Sequence, residues 1–143
     1  METSGIFSRF YFHRTYFLLS LLLLGLEILI AAYMHDAFIR PYGGDYLVVI
    51  LLYCLVRSFF DLSVRLTSLL VLLFAYLIET LQYFHFADRM GFKGPSLARI
   101  VLGSYFSWVD ILAYTLGILT VIGLEIIKNN FYGSFRTRTI DRP

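Results

Sequence analysis

The chain alternates long apolar runs with short polar connections. Four runs have the length, near 20 residues, at which an α-helix crosses roughly 30 Å of hydrocarbon, and they cover residues 15–34, 45–60, 66–84 and 108–127. Continuous apolar stretches such as 18–24 and 69–74 lack the period-two alternation that transmembrane strands require. The pattern therefore predicts an all-α fold, a four-helix transmembrane bundle.

The first connection reads as a turn. Residues 35–44 contain Arg40, Pro41 and two adjacent glycines, which are typical of turns. Asp45 follows them directly and is a favoured residue at a helix start. We therefore expect the second helix to begin at Asp45.

The third connection is the long one. In the outer loop 85–107, a Gly-Pro pair followed by apolar positions at helical spacing predicts a short amphipathic helix over 94–103, lying at the membrane interface. A basic tail, 128–143, follows the last span. The whole chain, 1–143, is predicted to form a single integral membrane domain.

Composition agrees with this picture. The chain is 59% hydrophobic and only 15% charged, with a mean hydropathy of +0.74, whereas soluble domains carry about 25% charged residues. A single cysteine excludes an internal disulfide framework. The net charge of +2 is too small to indicate nucleic-acid binding. The first run contains Glu27 and is longer than the apolar region of a signal peptide, so we expect it to remain as a span.

The basic residues are distributed unevenly between the two sides of a four-span chain. One side, which carries both termini, holds Arg9, Arg14, Arg57, Arg65, Lys128, Arg136, Arg138 and Arg142. The other side holds Arg40, Arg89, Lys93 and Arg99. Cytoplasmic segments carry the excess of Lys and Arg, so both termini are predicted to be cytoplasmic.

Each predicted span carries a carboxylic acid near its outer end. These acids are Glu27, Asp45, Glu79 and Asp110. Ionisable side chains inside a membrane are costly and usually functional. Because the four acids come from different helices at a similar depth, we expect them to line one outward-facing polar pocket.

Helical spacing adds neighbours to these acids. Gln82 lies three residues after Glu79, and Tyr114 lies four residues after Asp110, so each pair shares a helix face. Arg40 is a cation within reach of the pocket. The predicted ligand-binding residues are Glu27, Arg40, Asp45, Glu79, Gln82, Asp110 and Tyr114.

Structural explanations compete with the functional one. Ser107 and Asp110 have the spacing of a capping box, and Asp45 has the position of a helix cap. Glu27 and Glu79 could act only as hydrogen-bonding links between helices. The acids outside this set are expected to be solvated and are given no role: Asp36, Asp61, Asp88, Glu125 and Asp141.

The sequence predicts no metal and no cofactor. The three histidines form no ligand-spaced pair, and phosphate-loop and dinucleotide motifs are absent.

Several motifs together resemble a known group of membrane proteins. The pair Glu79-x-x-Gln82, followed by Asp110 and by Gly117 seven residues later, resembles the VanZ-like proteins. With the segment 40–45 and the segment 103–117, the chain resembles most closely the bacterial family of domain of unknown function 2809. The resemblance extends from Glu27 to Gly117.

The resemblance implies a bacterial inner-membrane protein. VanZ-like proteins are associated with resistance to teicoplanin-type lipoglycopeptides, and the closer family has no assigned activity. The VanZ pattern has asparagine where this chain has Tyr114. Only Glu79, Gln82, Asp110 and Gly117 carry over to the shared motif.

Three functions are compatible with these residues. The first is binding of a lipid headgroup or lipid-linked cell-envelope component in the outward-facing pocket, linked to envelope stress or glycopeptide resistance. The second is an intramembrane hydrolase or transferase that uses Glu79 and Asp110 as acid and base. The third is a small transporter or a scaffold whose carboxyl groups only hold the helices together. Membrane lipids are the expected partners, and nucleic acid is not.

Overall fold

The computed structural model describes residues 11–35, 39–85, 89–91 and 106–140, with side chains described for all of these except 39–41 and 133–140. The described residues form four long helices: α1 (Arg14–Tyr33), α2 (Ile39–Phe59), α3 (Val64–Tyr83) and α4 (Trp108–Ile140). Each contains a stretch long and apolar enough to cross a membrane. The predicted all-α fold with four spans is confirmed.

The helices run alternately up and down, so the bundle has two distinct ends. At the loop end, α1 and α3 finish and α2 and α4 begin. At the termini end, α1 and α3 begin, α2 finishes, and the apolar part of α4 is completed near Tyr132.

The core lies among α2, α3 and α4. These three helices pack against one another. Their buried side chains include Val49 and Tyr53 from α2, Val71 from α3, and Tyr114 and Ile118 from α4. In water-free surroundings such contacts act through close packing and hydrogen bonds between helices.

Helix α1 is peripheral. Among the described residues it packs against α2 and not against α3 or α4. Of its side chains, Ser20 is buried, whereas Leu18, Leu22 and Ile28 are each more than half exposed. Apolar side chains on such a face suit contact with lipid tails. A groove therefore runs between α1 and α4, with α2 as its floor.

Helix α3 presents one narrow face to the core. Its buried residues recur every three or four positions, at Thr67, Val71, Ala75, Glu79 and Gln82, which is the spacing of one helix face. Small residues on this face allow close approach of the neighbouring helices. The polar members lie towards the two ends of the helix, which places Glu79 and Gln82 near the loop end.

The second helix begins earlier than predicted. Ile39 is its first residue, so Arg40 and Pro41 belong to the first helical turn rather than to a loop. Proline is tolerated there because the first backbone N–H groups have no partner within the helix. Asp45 consequently lies inside α2, and both the predicted turn and the interpretation of Asp45 as a helix cap are wrong.

Helix α4 ends later than predicted. It continues without interruption from Trp108 to Ile140, so most of the predicted tail, 128–143, belongs to the same helix. A helix of 33 residues is about 50 Å long, which exceeds the hydrocarbon thickness of roughly 30 Å. The amphipathic helix predicted over 94–103 lies outside the described residues.

Candidate functional site

Three helices contribute to a polar cluster at the loop end. The Tyr114 hydroxyl on α4 lies 3.1 Å from Oε1 of Glu79 on α3. The same hydroxyl lies 3.3 Å from Oδ1 of Asp45 on α2. One tyrosine thus joins two carboxyl groups from separate helices; we call Asp45, Glu79, Asp110 and Tyr114 the loop-end cluster.

The hydroxyl cannot satisfy both carboxyl groups. A phenol carries one donor hydrogen, whereas an ionised carboxylate offers only acceptors. Tyr114 can therefore donate to either Glu79 or Asp45 at one time. Glu79 is only 1% exposed, and its Oε2 has no hydrogen-bond partner among the described residues. Among the described residues, the cluster therefore has fewer donors than its carboxyl oxygens could accept.

Asp110 brings a further carboxyl group to the cluster. Its side chain approaches Asp45 within hydrogen-bonding reach and also interacts electrostatically with Glu79. It lies in the first turn of α4. The convergence predicted for Asp45, Glu79 and Asp110 is present in the structure.

The first turn of α4 is capped. The predicted capping box named Ser107 and Asp110, and the serine half of it is present. The Ser107 hydroxyl accepts a hydrogen bond of 3.2 Å from the Val109 backbone N–H. The backbone N–H of Ser107 lies within hydrogen-bonding reach of the Glu79 carboxyl group. Capping is thus carried by the serine, and the Asp110 carboxyl remains available to the cluster.

Close packing of α2 against α4 holds the cluster in place. A Cβ atom at Gly117 would lie 2.4 Å from Val49 Cγ2 and 2.7 Å from the Tyr46 carbonyl oxygen. A rigid backbone atom cannot move aside, so only glycine fits. Gly117 lies about one turn after Tyr114 and allows its hydroxyl to reach Asp45.

Gln82 shares the buried face of α3 with Glu79. It is 7% exposed and lies about one turn nearer the loop end. Its position agrees with the predicted face. A second contact between α3 and α4, the bond of 2.6 Å between the Tyr76 and Thr115 hydroxyls, lies deeper on the same pair of helices.

Glu27 stands apart from the cluster. Its Oε2 lies 3.5 Å from the position of a Cβ atom at Gly44, so it packs against the α1-facing side of α2. Asp45, the next residue, faces α4 instead. The Oε1 atom of Glu27 is buried without a hydrogen-bond partner among the described residues. No described hydrogen bond joins Glu27 to the other acids.

Arg40 is placed only through its backbone. It lies in the first turn of α2, five residues before Asp45. Its side chain lies outside the described part of the structure, and its pairing with a carboxyl group stays a prediction. Among the side chains that are described, no cation pairs with Asp45, Glu79 or Asp110.

A second polar cluster lies at the termini end, where the sequence predicted no role. Glu125 is 7% exposed, so the expectation that it is solvated is wrong. It accepts hydrogen bonds from the Tyr16 and Tyr53 hydroxyls and pairs with Lys128 at 3.2 Å. We call Tyr16, Tyr53, Glu125 and Lys128 the termini-end cluster.

The signal for this cluster was present in the sequence. Glu125 and Lys128 are three residues apart, the spacing of neighbours on a helix. The last span was predicted to end at residue 127, which placed both at a boundary. The longer apolar part of α4, Trp108–Tyr132, encloses them.

The loop-end cluster does not have the arrangement of a metal site. Across the described residues, no group of three or more His, Cys, Asp or Glu side chains is placed to hold a metal ion. Its chemistry is that of an acceptor-rich cluster with a partly exposed side, formed by Asp45 and Asp110.

No solved structure matches the fold of this chain. Residues 34–118 match the family described as "Protein of unknown function (DUF2809)". The matched segment contains the entire loop-end cluster together with Gly117, and it excludes Glu27 and Glu125. The resemblance to this family is thereby confirmed, whereas the match does not extend to the VanZ-like proteins: the chain belongs to the DUF2809 family of proteins of unknown function.

Proposed function

We propose that this protein binds a lipid headgroup or cell-envelope component through its loop-end cluster. In this proposal the protein is a multi-pass protein of the bacterial inner membrane with both termini in the cytoplasm. The loop end then faces outward, as the distribution of basic residues favours.

The observation that carries the proposal is the shortage of donors around Tyr114. Two carboxyl groups lie at 3.1 and 3.3 Å from one hydroxyl, and a third, on Asp110, adjoins them. Buried acceptors without donors cost free energy, and the cost is largest for charged groups. A ligand that brings several N–H donors and a positive charge removes that cost.

The ligand class follows from this requirement. A primary ammonium group carries three donors and no acceptor, which complements a pocket of carboxyl oxygens. Asp45 and Asp110 form the partly exposed side through which such a group enters. In the bound state, Glu79 and Asp45 accept hydrogen bonds from the amine, and Tyr114 and Gln82 orient it. Arg40 is predicted to hold an anionic part of the same ligand.

Native mass spectrometry tests this proposal. The detergent-extracted protein is mixed with dioleoyl phosphatidylethanolamine or with dioleoyl phosphatidylcholine, whose quaternary nitrogen has no N–H donor. We expect the parent to retain the ethanolamine lipid about tenfold better, the factor expected for one charge-assisted hydrogen bond. Glu79→Gln should abolish the difference.

Asp61→Asn provides the matched control, because Asp61 is exposed in the turn between α2 and α3. This variant removes one negative charge and should keep the preference. Equal retention of both lipids by the parent contradicts the proposal, as does an unchanged preference in Glu79→Gln.

A second candidate function is an intramembrane hydrolase or transferase. The close approach of the Asp45 and Asp110 carboxyl groups favours it, because paired carboxyl groups are a frequent arrangement for acid–base catalysis. Incubation of the purified protein with the ethanolamine lipid distinguishes the two candidates. An enzyme releases a cleaved or transferred headgroup, which Glu79→Gln stops, whereas a binding protein leaves the lipid intact.

A further inference from the structure

The groove between α1 and α4 widens into a half-open, mostly apolar cavity at the termini end. Its volume is about 590 Å³, within the range of 300–1,000 Å³ that is usual for ligand pockets. Apolar side chains supply most of its wall, including Leu19, Leu22 and Leu23 from α1, Ile50 from α2, and Val121 and Leu124 from α4. We call it the α1–α4 cavity.

The cavity is open because the two helices that flank it do not pack together. Across the described residues, the backbone of α1 approaches closely only that of α2. The bond between Tyr16 and Glu125 joins α1 to α4 only at the termini end of the cavity. A space of this size beside hydrocarbon does not stay empty, and a chain of methylene groups fits its walls.

The rim of the cavity carries an excess of positive charge. Arg57 and Lys128 line it together with Glu125. Both cations contact the Tyr16 ring: Cζ of Arg57 lies 5.2 Å and Nζ of Lys128 lies 5.0 Å from the ring centroid. Glu125 pairs with Lys128 at 3.2 Å and also attracts the guanidinium of Arg57, so one carboxylate faces two cations and the rim keeps a net positive charge.

Buried polar atoms at the same place lack partners. Arg57 Nε and His13 Nε2 are inaccessible to solvent and form no hydrogen bond with any described residue. The other end of the guanidinium donates to the Leu62 carbonyl oxygen, which fixes its position. An excess of positive charge and polar atoms without partners are costly at membrane depth, so an anion bound at this point would stabilise the protein.

We infer that the α1–α4 cavity binds a glycerophospholipid with an anionic headgroup. One acyl chain occupies the apolar cavity, and the phosphate contacts Arg57 and Lys128. Arg57 lies two residues before the end of α2, and Lys128 lies four residues before the end of the apolar part of α4. These positions match the depth of lipid phosphates in the leaflet nearest the chain termini. The inference does not depend on the function proposed for the loop-end cluster.

Competition between two lipids with identical chains tests the inference. The full-length protein in detergent is exposed to an equimolar mixture of dioleoyl phosphatidylglycerol and dioleoyl phosphatidylcholine, and retained lipid is measured by native mass spectrometry. We expect the parent to prefer the glycerol lipid. Lys128→Gln should reduce that preference about fivefold, which corresponds to about 1 kcal/mol for one cation near the membrane surface.

Two matched variants control this experiment. Lys128→Arg keeps the charge and should keep the preference. Arg65→Gln removes a positive charge from the exposed start of α3, at the same end of the bundle, and should also keep it. Equal retention of the two lipids by the parent overturns the inference, as does an equal loss of preference in Arg65→Gln.

Photolabelling locates the acyl chain without any substitution. A phosphatidylglycerol carrying a diazirine near the end of one chain is incorporated with the parent protein, and labelled peptides are mapped. We expect label on the cavity residues of α1 and α4, such as Leu23 and Val121. Label spread equally over the exposed Leu69, Leu73 and Leu77 of α3 overturns the inference, because it indicates annular lipid only.

Discussion

The two ends of this bundle bury glutamate in opposite ways. Glu125 at the termini end is 7% exposed and is surrounded by two tyrosine hydroxyls and the ammonium of Lys128. Glu79 at the loop end is 1% exposed and shares one tyrosine hydroxyl with Asp45. Both oxygens of Glu125 accept hydrogen bonds, whereas among the described residues Oε2 of Glu79 has no hydrogen-bond partner.

The difference separates the roles of the two glutamates, a structural role for Glu125 and a binding role for Glu79. A carboxylate with satisfied oxygens and a cationic partner contributes to stability and leaves little capacity for a ligand. A group of acids without described cations weakens the free protein and is stabilised by any ligand that brings donors. Removing Glu125 should therefore affect folding, whereas removing Glu79 should affect binding.

The largest loss of stability is expected when the close contact between α2 and α4 at Gly117, which holds the loop-end cluster in place, is disrupted. Gly117→Ala places a methyl group against Val49 and the Tyr46 carbonyl oxygen and should cost about 2–3 kcal/mol, the upper range for overpacking. Lipid discrimination at the loop end should be lost as well. Gly123→Ala on the same helix meets nothing within 4 Å and should not destabilise the protein. Unfolding by titration with dodecyl sulfate measures the stability of both variants.

A smaller loss of stability is expected when the termini-end cluster is disrupted. Tyr16→Phe removes the hydroxyl that donates to Glu125 and accepts from Lys128 at 2.9 Å. It should lower the free energy of unfolding by about 1.5 kcal/mol, the value for a hydrogen bond to a charged group. Tyr11→Phe, at an exposed position before α1, serves as the control. Equal unfolding curves for the two variants would mean that α1 is not held through Glu125.

Tyr114→Phe sharpens the contrast between the clusters. It removes a neutral hydroxyl from a site already short of donors, and stability should fall by about 1 kcal/mol. Binding of phosphatidylethanolamine should weaken several-fold, because the amine loses the group that orients it, while phosphatidylglycerol binding stays unchanged. A stability loss without any change in lipid binding would assign Tyr114 to structure alone.

The smallest loss of stability is expected for the hydrogen bond between Tyr76 and Thr115, which lies between the two clusters. Tyr76→Phe deletes the bond to the Thr115 hydroxyl, and hydrogen bonds between membrane helices contribute about 0.6 kcal/mol on average. Neither lipid preference should change. Tyr83→Phe at the exposed end of α3 provides the reference, and a larger loss in Tyr76→Phe than in Tyr16→Phe would reverse the ranking of the two regions.

The apolar pattern predicted the number of helices and their membrane character because length and hydropathy alone determine whether a segment spans. It also placed Asp45, Glu79 and Asp110 at a common depth, since residue count along a helix translates directly into height. The faces of α3 and α4 followed from spacing, which put Gln82 beside Glu79 and Tyr114 near Asp110.

Other features depend on how the helices pack, which no single-helix pattern contains. The sequence grouped Glu27 with the other acids by depth, but Glu27 packs against Gly44 on the α1-facing side of α2. The Pro-Gly-Gly stretch after Arg40 predicted a turn, and tolerance of proline in a first helical turn allowed α2 to begin at Ile39. Glu125 was missed because its partner Tyr16 is 109 residues away.

A matched pair of Glu→Gln variants tests the contrast most directly. Unfolding by dodecyl sulfate is measured for the parent, Glu79→Gln and Glu125→Gln without added lipid. We predict that Glu125→Gln loses about 2 kcal/mol, because it removes the ion pair with Lys128 and converts the bond from Tyr16 from a charge-assisted to a neutral one. Glu79→Gln should be as stable as the parent or more stable, because it removes an acid that has no described cationic partner. An equal loss in both variants would contradict the account, since Glu79 would then be structural like Glu125.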